Sequence, residues 1–103
     1  MLKPASAREV MDRIRPYCEG NQSISRVAIF GSYARGDQGP DSDVDLLVSF
    51  TPSKRMSLVG ISGMKRDLGD LLGVDVDIVT SLSDAAPCFV EDIRRDGKII
   101  YAR

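Results

Sequence analysis

The sequence predicts an α/β (α+β) fold, in which a small mixed sheet is covered by helices. The chain has 103 residues, a length that suits one domain with a single modest core. Segments with the apolar spacing of a helix follow segments with the alternation of a strand along the chain. Because helical and extended segments interleave in this way, we expect one domain over residues 1–103 with helices on one face of the sheet.

The first half of the chain predicts a helix, a strand and a turn-rich loop. A capping box begins at Ser6, and apolar residues at helical spacing predict a helix over residues 6–19. A short apolar run predicts a buried strand over residues 26–30. The strand ends at Gly31, and glycine and proline then indicate a loop over residues 31–42, in which residues 32–35 are compatible with one helical turn.

The second half predicts two further strands and two further helices. Residues 43–50 alternate and end before Pro52, with Val44, Leu46 and Val48 on one face and Asp43, Asp45 and Leu47 on the other. Ser57 caps a helix that runs to Gly73 and is followed by a strand over residues 74–80. A last helix begins at Ser83 or Pro87 and ends near Gly97, before a short extended tail. The apolar residues near the C-terminus are expected in the core rather than on a partner surface: Phe89, Val90, Ile93, Ile99 and Ile100.

Composition excludes several kinds of function. The chain has no histidine, which removes Ser-His-Asp and Cys-His catalysis and histidine-ligated metal sites. The formal net charge of −1 at pH 7 disfavours a nucleic-acid partner. Cys18 and Cys88 are expected to be unpaired thiols. With no membrane-length apolar run and no signal-peptide pattern, the sequence predicts a cytoplasmic protein without a membrane partner.

Aspartates in two predicted strands are the candidate metal ligands. Asp43 and Asp45 lie two residues apart on a strand, so both point to one face, about 7 Å apart at their α-carbons. Such a pair can share cations about 3.5–4 Å apart, or can lie solvated on an exposed face. Asp75 and Asp77 repeat the spacing on a later strand. If the two strands are neighbours, Asp77 is the favoured third ligand because it leads into an apolar run, and Asp75 is the favoured rim residue.

The glycine-serine turn after the first strand is the candidate phosphate-binding element. Gly31 allows the backbone to approach a phosphate, and the Ser32 hydroxyl can donate to phosphate oxygens. Arg35 either contacts a phosphate or pairs with an aspartate such as Asp37, and Tyr33 is expected to pack in the core. Neither a P-loop nor an EF-hand fits, because Asp37 replaces the P-loop lysine and Leu46 replaces the EF-hand glycine.

The motifs "GSYARG", "SDVDLLV" and "VDIV" together resemble the DNA polymerase β-like nucleotidyltransferase superfamily. The length and the leading helix are most similar to the minimal nucleotidyltransferase (MNT) proteins. Members of that family commonly act as antitoxins beside a helical HEPN ribonuclease and can attach AMP to one of its tyrosines. The resemblance implies the polymerase β-like fold, ATP as substrate, two Mg²⁺ ions (Mn²⁺ as the alternative) and a HEPN-type toxin as partner.

The resemblance also implies a role for each motif residue. It assigns Gly31 and Ser32 to the triphosphate, and Asp43 and Asp45 to both metals. It assigns Asp77 to the catalytic metal and to helping the attacking hydroxyl lose its proton. Three alternatives stay open. The first is an antitoxin that acts by contact alone, and the second is an enzyme for a small molecule such as an aminoglycoside, for which an oligomer would have to form the acceptor pocket. The third is a nucleic-acid tailing enzyme, which charge balance and size disfavour.

Overall fold

The computed structural model describes residues 3–51, 57–80 and 87–102, which form alternating helices and strands. The elements are α1 Ala7–Glu19, β1 Ile24–Phe30, α2 Ser32–Arg35, β2 Val44–Phe50, α3 Leu58–Leu72, β3 Val76–Val79, α4 Pro87–Asp96 and β4 Lys98–Ala102. None of the described helices has the length and apolar character that crossing a membrane requires. The predicted order of elements is confirmed, including the helical turn at residues 32–35.

The strands form one mixed sheet in the order β3-β2-β1-β4. β1 runs antiparallel to β2 and to β4, whereas β2 and β3 are parallel. Parallel neighbours need a crossover connection, and α3 provides it between β2 and β3. The predicted mixed sheet and α/β fold are confirmed, and the crossover is what brings the two aspartate-bearing strands together.

The core lies between one face of the sheet and helices α1 and α3. β2 presents Val44, Leu46 and Val48 to this core, as its alternation predicts. The two helices contribute their apolar stripes, which are Val10, Ile14 and Cys18 from α1 and Met64, Leu68 and Leu72 from α3. Cys18 is buried with a free thiol, as expected, and the side chain of Cys88 lies outside the described residues. The opposite face of β2 therefore carries Asp45, together with Leu47 and Ser49.

Helix ends follow the predicted capping residues. The Ser6 hydroxyl accepts a hydrogen bond from the Glu9 backbone N–H at 3.2 Å, and Ser57 does the same for Gly60 at 3.1 Å. Gly73 ends α3 with φ +68°, the left-handed conformation that favours glycine. Local chemistry therefore sets the start of both long helices.

The limits of some helices and strands differ from those predicted from the sequence. β1 begins two residues earlier than predicted, at Ile24. β3 is shorter than predicted at both ends, since it spans Val76–Val79. α4 begins at Pro87, while Ser83 and Pro52 lie outside the described residues.

The predicted C-terminal tail is strand β4, and its alternation divides the apolar residues. Ile100 is buried, but Ile99 points to solvent and is 62% exposed, so the prediction of a core position was wrong for Ile99. Val90 and Ile93 are half-buried, and the Phe89 side chain lies outside the described residues.

Candidate active site

Asp45 and Asp77 are direct neighbours on the parallel strands β2 and β3. They are register partners, one position along from the buried pair Val44 and Val76. Because strands lie about 4.8 Å apart and side chains alternate, both aspartates project from the sheet face opposite the core. Asp45 is half-buried, and the Asp77 side chain is 44% exposed. The sequence predicted that Asp45 and Asp77 lie close together only if their strands are neighbours, and β2 and β3 are neighbours.

Asp43 and Asp75 precede the same two strands and are both exposed. The Val44 backbone N–H donates to the Asp75 carbonyl at 3.0 Å, which joins the beginning of β2 to β3. Asp43 lines an open cavity of about 450 Å³ together with Lys3, Asp41 and Asp75. Asp77, not Asp75, is the register partner of Asp45, which agrees with the preference from sequence, while their roles as ligands stay predictions.

Gly31 brings the end of β1 against the Asp45 carboxylate. Its φ of +75° and ψ of −154° belong to a region open almost only to glycine. A β-carbon at position 31 would overlap Asp45 Oδ2. Phe30, the preceding residue, is the register partner of Asp45 across β1 and β2. The glycine-serine turn therefore lies directly beside the carboxylates.

The one-turn helix α2 continues from Gly31 and is anchored by its own buried side chains. Tyr33 and Ala34 are buried in the core, so the prediction that Tyr33 packs there is confirmed. Burial raises the pKa of the Tyr33 hydroxyl. The Ser32 carbonyl accepts from Gly36 and Asp37 at 2.9 and 3.1 Å, and Gly36 ends the turn. These contacts hold Ser32 in a fixed backbone position next to Gly31.

Arg35 forms ion pairs with two aspartates. Its Nε lies 3.1 Å from Asp37 Oδ2, and its Nη1 lies 3.1 Å from Asp96 Oδ2 at the end of α4. Hydrogen bonds from the guanidinium to Asp37 and Asp96 raise the Arg35 pKa further. The sequence left a carboxylate and a phosphate as alternative partners. The carboxylate contacts are present, and a contact of Arg35 with nucleotide stays a prediction.

Lys65 is a cationic neighbour of the site that sequence reasoning missed. This α3 residue places its Nζ 3.9 Å from Asp77 Oδ1. Lys65 is separated from Asp77 by the second half of α3 and the following turn, so its approach depends on the crossover and not on a local sequence pattern. Since a crossover helix packs beside the strands it joins, a cation on α3 was the available signal.

The carboxylates fit a divalent cation in donor chemistry and in strand position. Aspartate oxygens are ligands that Mg²⁺ and Mn²⁺ prefer. Within residues 3–51, 57–80 and 87–102, no three Asp, Glu, His or Cys side chains form a ready-made metal-binding cluster. Asp45 Oδ2 lies against Gly31, and Asp77 Oδ1 lies 3.9 Å from Lys65 Nζ, so the two carboxylates have different neighbours. Inward rotation on adjacent strands would bring the carboxylates together.

The comparisons with known proteins agree with this fold and show the family to which the chain belongs. Residues 12–103 match the family model described as "Polymerase beta, Nucleotidyltransferase". A protein of Methanocaldococcus jannaschii, named provisionally as a protein adenylyltransferase, is 32% identical over 94 residues, which cover 91% of this chain and 92% of its own.

Solved structures show the same architecture. A structure described provisionally as a minimal nucleotidyltransferase is 37% identical with a TM-score of 0.66, covering 88% of this chain and 89% of that one. A second match is to a chain in the complex of an MNT antitoxin with a tri-AMPylated HEPN toxin from Shewanella oneidensis. The match is 19% identical with a TM-score of 0.65, and it covers 91% of this chain and 71% of that one. At this identity it shows the fold alone. From the family match and the first relative together, the chain belongs to the polymerase beta nucleotidyltransferase family of enzymes.

Proposed function

We propose that this protein transfers AMP from ATP to a hydroxyl group of a partner protein, as the antitoxin of a HEPN/MNT toxin-antitoxin pair. The observation that carries the proposal is the register of Asp45 with Asp77 beside the Gly31–Ser32 turn. This arrangement puts a candidate phosphate-binding backbone against candidate metal ligands. The AMPylated toxin in the Shewanella oneidensis complex supports the acceptor class. The proposal includes the cytoplasmic location expected from the sequence.

In the proposed reaction the chain's residues mainly bind and orient. The Gly31 backbone and the Ser32 hydroxyl would hold the triphosphate. Asp43 and Asp45 would hold two divalent cations, and Asp77 would hold one of them. When bound, Mg²⁺ or Mn²⁺ supplies charge neutralisation at the triphosphate and a lowered pKa of the acceptor hydroxyl. Asp77 assists in removing the hydroxyl proton.

The chemical step is an in-line displacement at the α-phosphorus. The acceptor oxygen forms a bond to the α-phosphorus as the bond to the bridging oxygen of pyrophosphate breaks, and pyrophosphate leaves with that electron pair. The rigid sheet contributes by keeping the carboxylates and the turn in one geometry, so that little reorganisation is needed during reaction.

Intact-mass measurement of the natural complex tests this function. The chain is co-purified with its partner, given ATP and Mg²⁺, and each component is weighed. We expect the partner to gain one or more AMP units. Asp43→Asn is expected to abolish the gain, because it removes a proposed ligand of both cations. Asp75→Asn is the matched control, since it makes the same change at an exposed residue just before the neighbouring strand β3.

The outcomes separate enzyme from contact inhibitor. A partner that never changes mass, but is still neutralised by the Asp43→Asn variant, would show inhibition by contact. A mass gain that persists in Asp43→Asn would contradict the assignment of Asp43 as a metal ligand. Equal loss in Asp43→Asn and Asp75→Asn would remove the distinction between ligand and rim residue.

A further inference from the structure

Lys65 reaches a proposed metal ligand from outside the sheet. Its Nζ lies 3.9 Å from Asp77 Oδ1, and the two side chains are 56% and 44% exposed. The contact joins the crossover helix α3 to the edge strand β3. A positive charge at this position neutralises part of the charge on Asp77, which is a task that a bound cation would otherwise perform.

Other carboxylates near Lys65 provide alternative partners for its ammonium group. A groove of about 650 Å³ runs between α3 and β3 and is lined by Lys65, Arg66, Asp70 and Asp75, among others. Asp70 and Asp75 are exposed carboxylates on this groove. A lysine has a flexible four-carbon stem, so its ammonium can exchange one exposed carboxylate for another at small cost.

We propose that Lys65 is a positioning residue that holds the Asp77 carboxylate while no divalent cation is bound and turns into the α3–β3 groove when a cation binds. Lys65 thereby raises the metal concentration that the site needs. The inference rests on the proposed role of Asp77 as a metal ligand. The physical reason is competition, because the Lys65 ammonium group and a divalent cation would bind the same Asp77 carboxylate. Their positive charges also repel each other at short range.

The size of the effect follows from the exposure of the pair. Exposed ion pairs are weak and screened by salt, so removal of Lys65 is expected to tighten metal binding by about two- to fivefold at low ionic strength. The advantage should shrink at high salt, because screening weakens both the ion pair and the repulsion.

Mn²⁺ binding to the whole chain, in the absence of nucleotide, tests the proposal. Titration followed by calorimetry or by the electron paramagnetic resonance of free Mn²⁺ gives the dissociation constant without any measurement of activity. Lys65→Met keeps the length of the side chain and removes its charge. Arg66→Met is the matched control, because Arg66 lies next in α3 on the same groove and its removal changes the net charge equally. Lys65→Arg restores a positive charge.

We expect Lys65→Met to bind Mn²⁺ more tightly than wild type, Arg66→Met to change little, and Lys65→Arg to resemble wild type. Equal tightening in Lys65→Met and Arg66→Met would overturn the proposal, since the effect would then be one of net charge. Unchanged thermal unfolding of the variants excludes a general structural effect as the cause.

The Asp77→Asn variant separates this inference from the function on which it rests. One possible outcome is that wild type binds Mn²⁺ and Asp77→Asn weakens this binding, but Lys65→Met does not strengthen it. In that case the proposed role of Lys65 is wrong, while the proposed metal site is supported. If wild type fails to bind Mn²⁺, or Asp77→Asn binds as wild type does, the proposed metal site and the role of Lys65 both fail.

Discussion

At the scale of single residues, Gly31 is the position where backbone and carboxylate meet. Two separate constraints apply there: a backbone conformation that other residues rarely adopt, and the Asp45 carboxylate in the space that a β-carbon would fill. Gly36, at the other end of α2, has only the first kind of constraint. Its φ is +83°, and a β-carbon there would meet nothing within 4 Å. Substitutions at these two glycines therefore distinguish the cost of backbone strain from the cost of displacing the Asp45 carboxylate.

We predict that Gly31→Ala destabilises the fold by about 2 kcal/mol or more, through backbone strain and displacement of Asp45. Gly36→Ala should cost about 1–2 kcal/mol, the penalty of a left-handed residue alone. Urea unfolding of both variants measures the difference. Equal destabilisation would show that the contact with Asp45 is unimportant. A larger effect at Gly36 would contradict the position of the turn against β2.

At the scale of elements, one carboxylate joins the ends of α2 and α4. Asp96 Oδ2 accepts from Arg35 Nη1 at 3.1 Å and from the neighbouring Arg95 Nε at 3.0 Å. Partial burial raises the pKa of Asp96, but the hydrogen bonds and charges of the two arginines prevail and lower it below its ordinary value of 3.8. The folded state therefore binds the Asp96 proton more weakly than the unfolded state.

The sign of the pH dependence follows from linkage. A depressed carboxylate pKa contributes stability above about pH 4, and that stability is lost as the pH falls through the folded pKa. We predict that Asp96→Asn reduces the loss of stability between about pH 5 and pH 3, measured by chemical unfolding across the range. Asp12→Asn is the control, because this exposed α1 residue forms no ion pair with any described residue. Parallel pH profiles of wild type and Asp96→Asn would contradict the prediction.

At the scale of the whole molecule, stability depends on the layer between α1, α3 and the sheet. Leu68 is 1% exposed in the second half of α3, whereas Val59 near the beginning of this helix is 82% exposed. We predict that Leu68→Ala costs about 2–5 kcal/mol of unfolding free energy, since it leaves a cavity in the core. Val59→Ala should change it by less than about 0.5 kcal/mol. Thermal and urea unfolding measure both, and a small effect of Leu68→Ala would contradict the observed packing of α3.

Much of the fold was predictable because the relevant signals are local. Alternation in β2 separates the core face from the aspartate face, and serine and glycine mark the ends of the helices. The adjacency of Asp45 and Asp77 could be stated only as a condition, because strand order depends on the crossover. Lys65 and the Asp96 partner of Arg35 lie far away in sequence, and no local pattern predicts contacts of that kind. Ile99 was misplaced because alternation in β4 leaves one of two adjacent isoleucines in solvent.

The parallel pairing of β2 with β3 also affects when the site can exist during folding. Antiparallel neighbours β1 and β2 can meet early, but β3 reaches β2 only after the intervening chain closes a long loop, whose entropy is lost before any contact compensates for it. Until that closure, a chain has Asp45 and the glycine-serine turn but lacks Asp77 beside them. The complete set of acidic groups is thus a property of the finished fold, so metal binding would report that folding has reached its end.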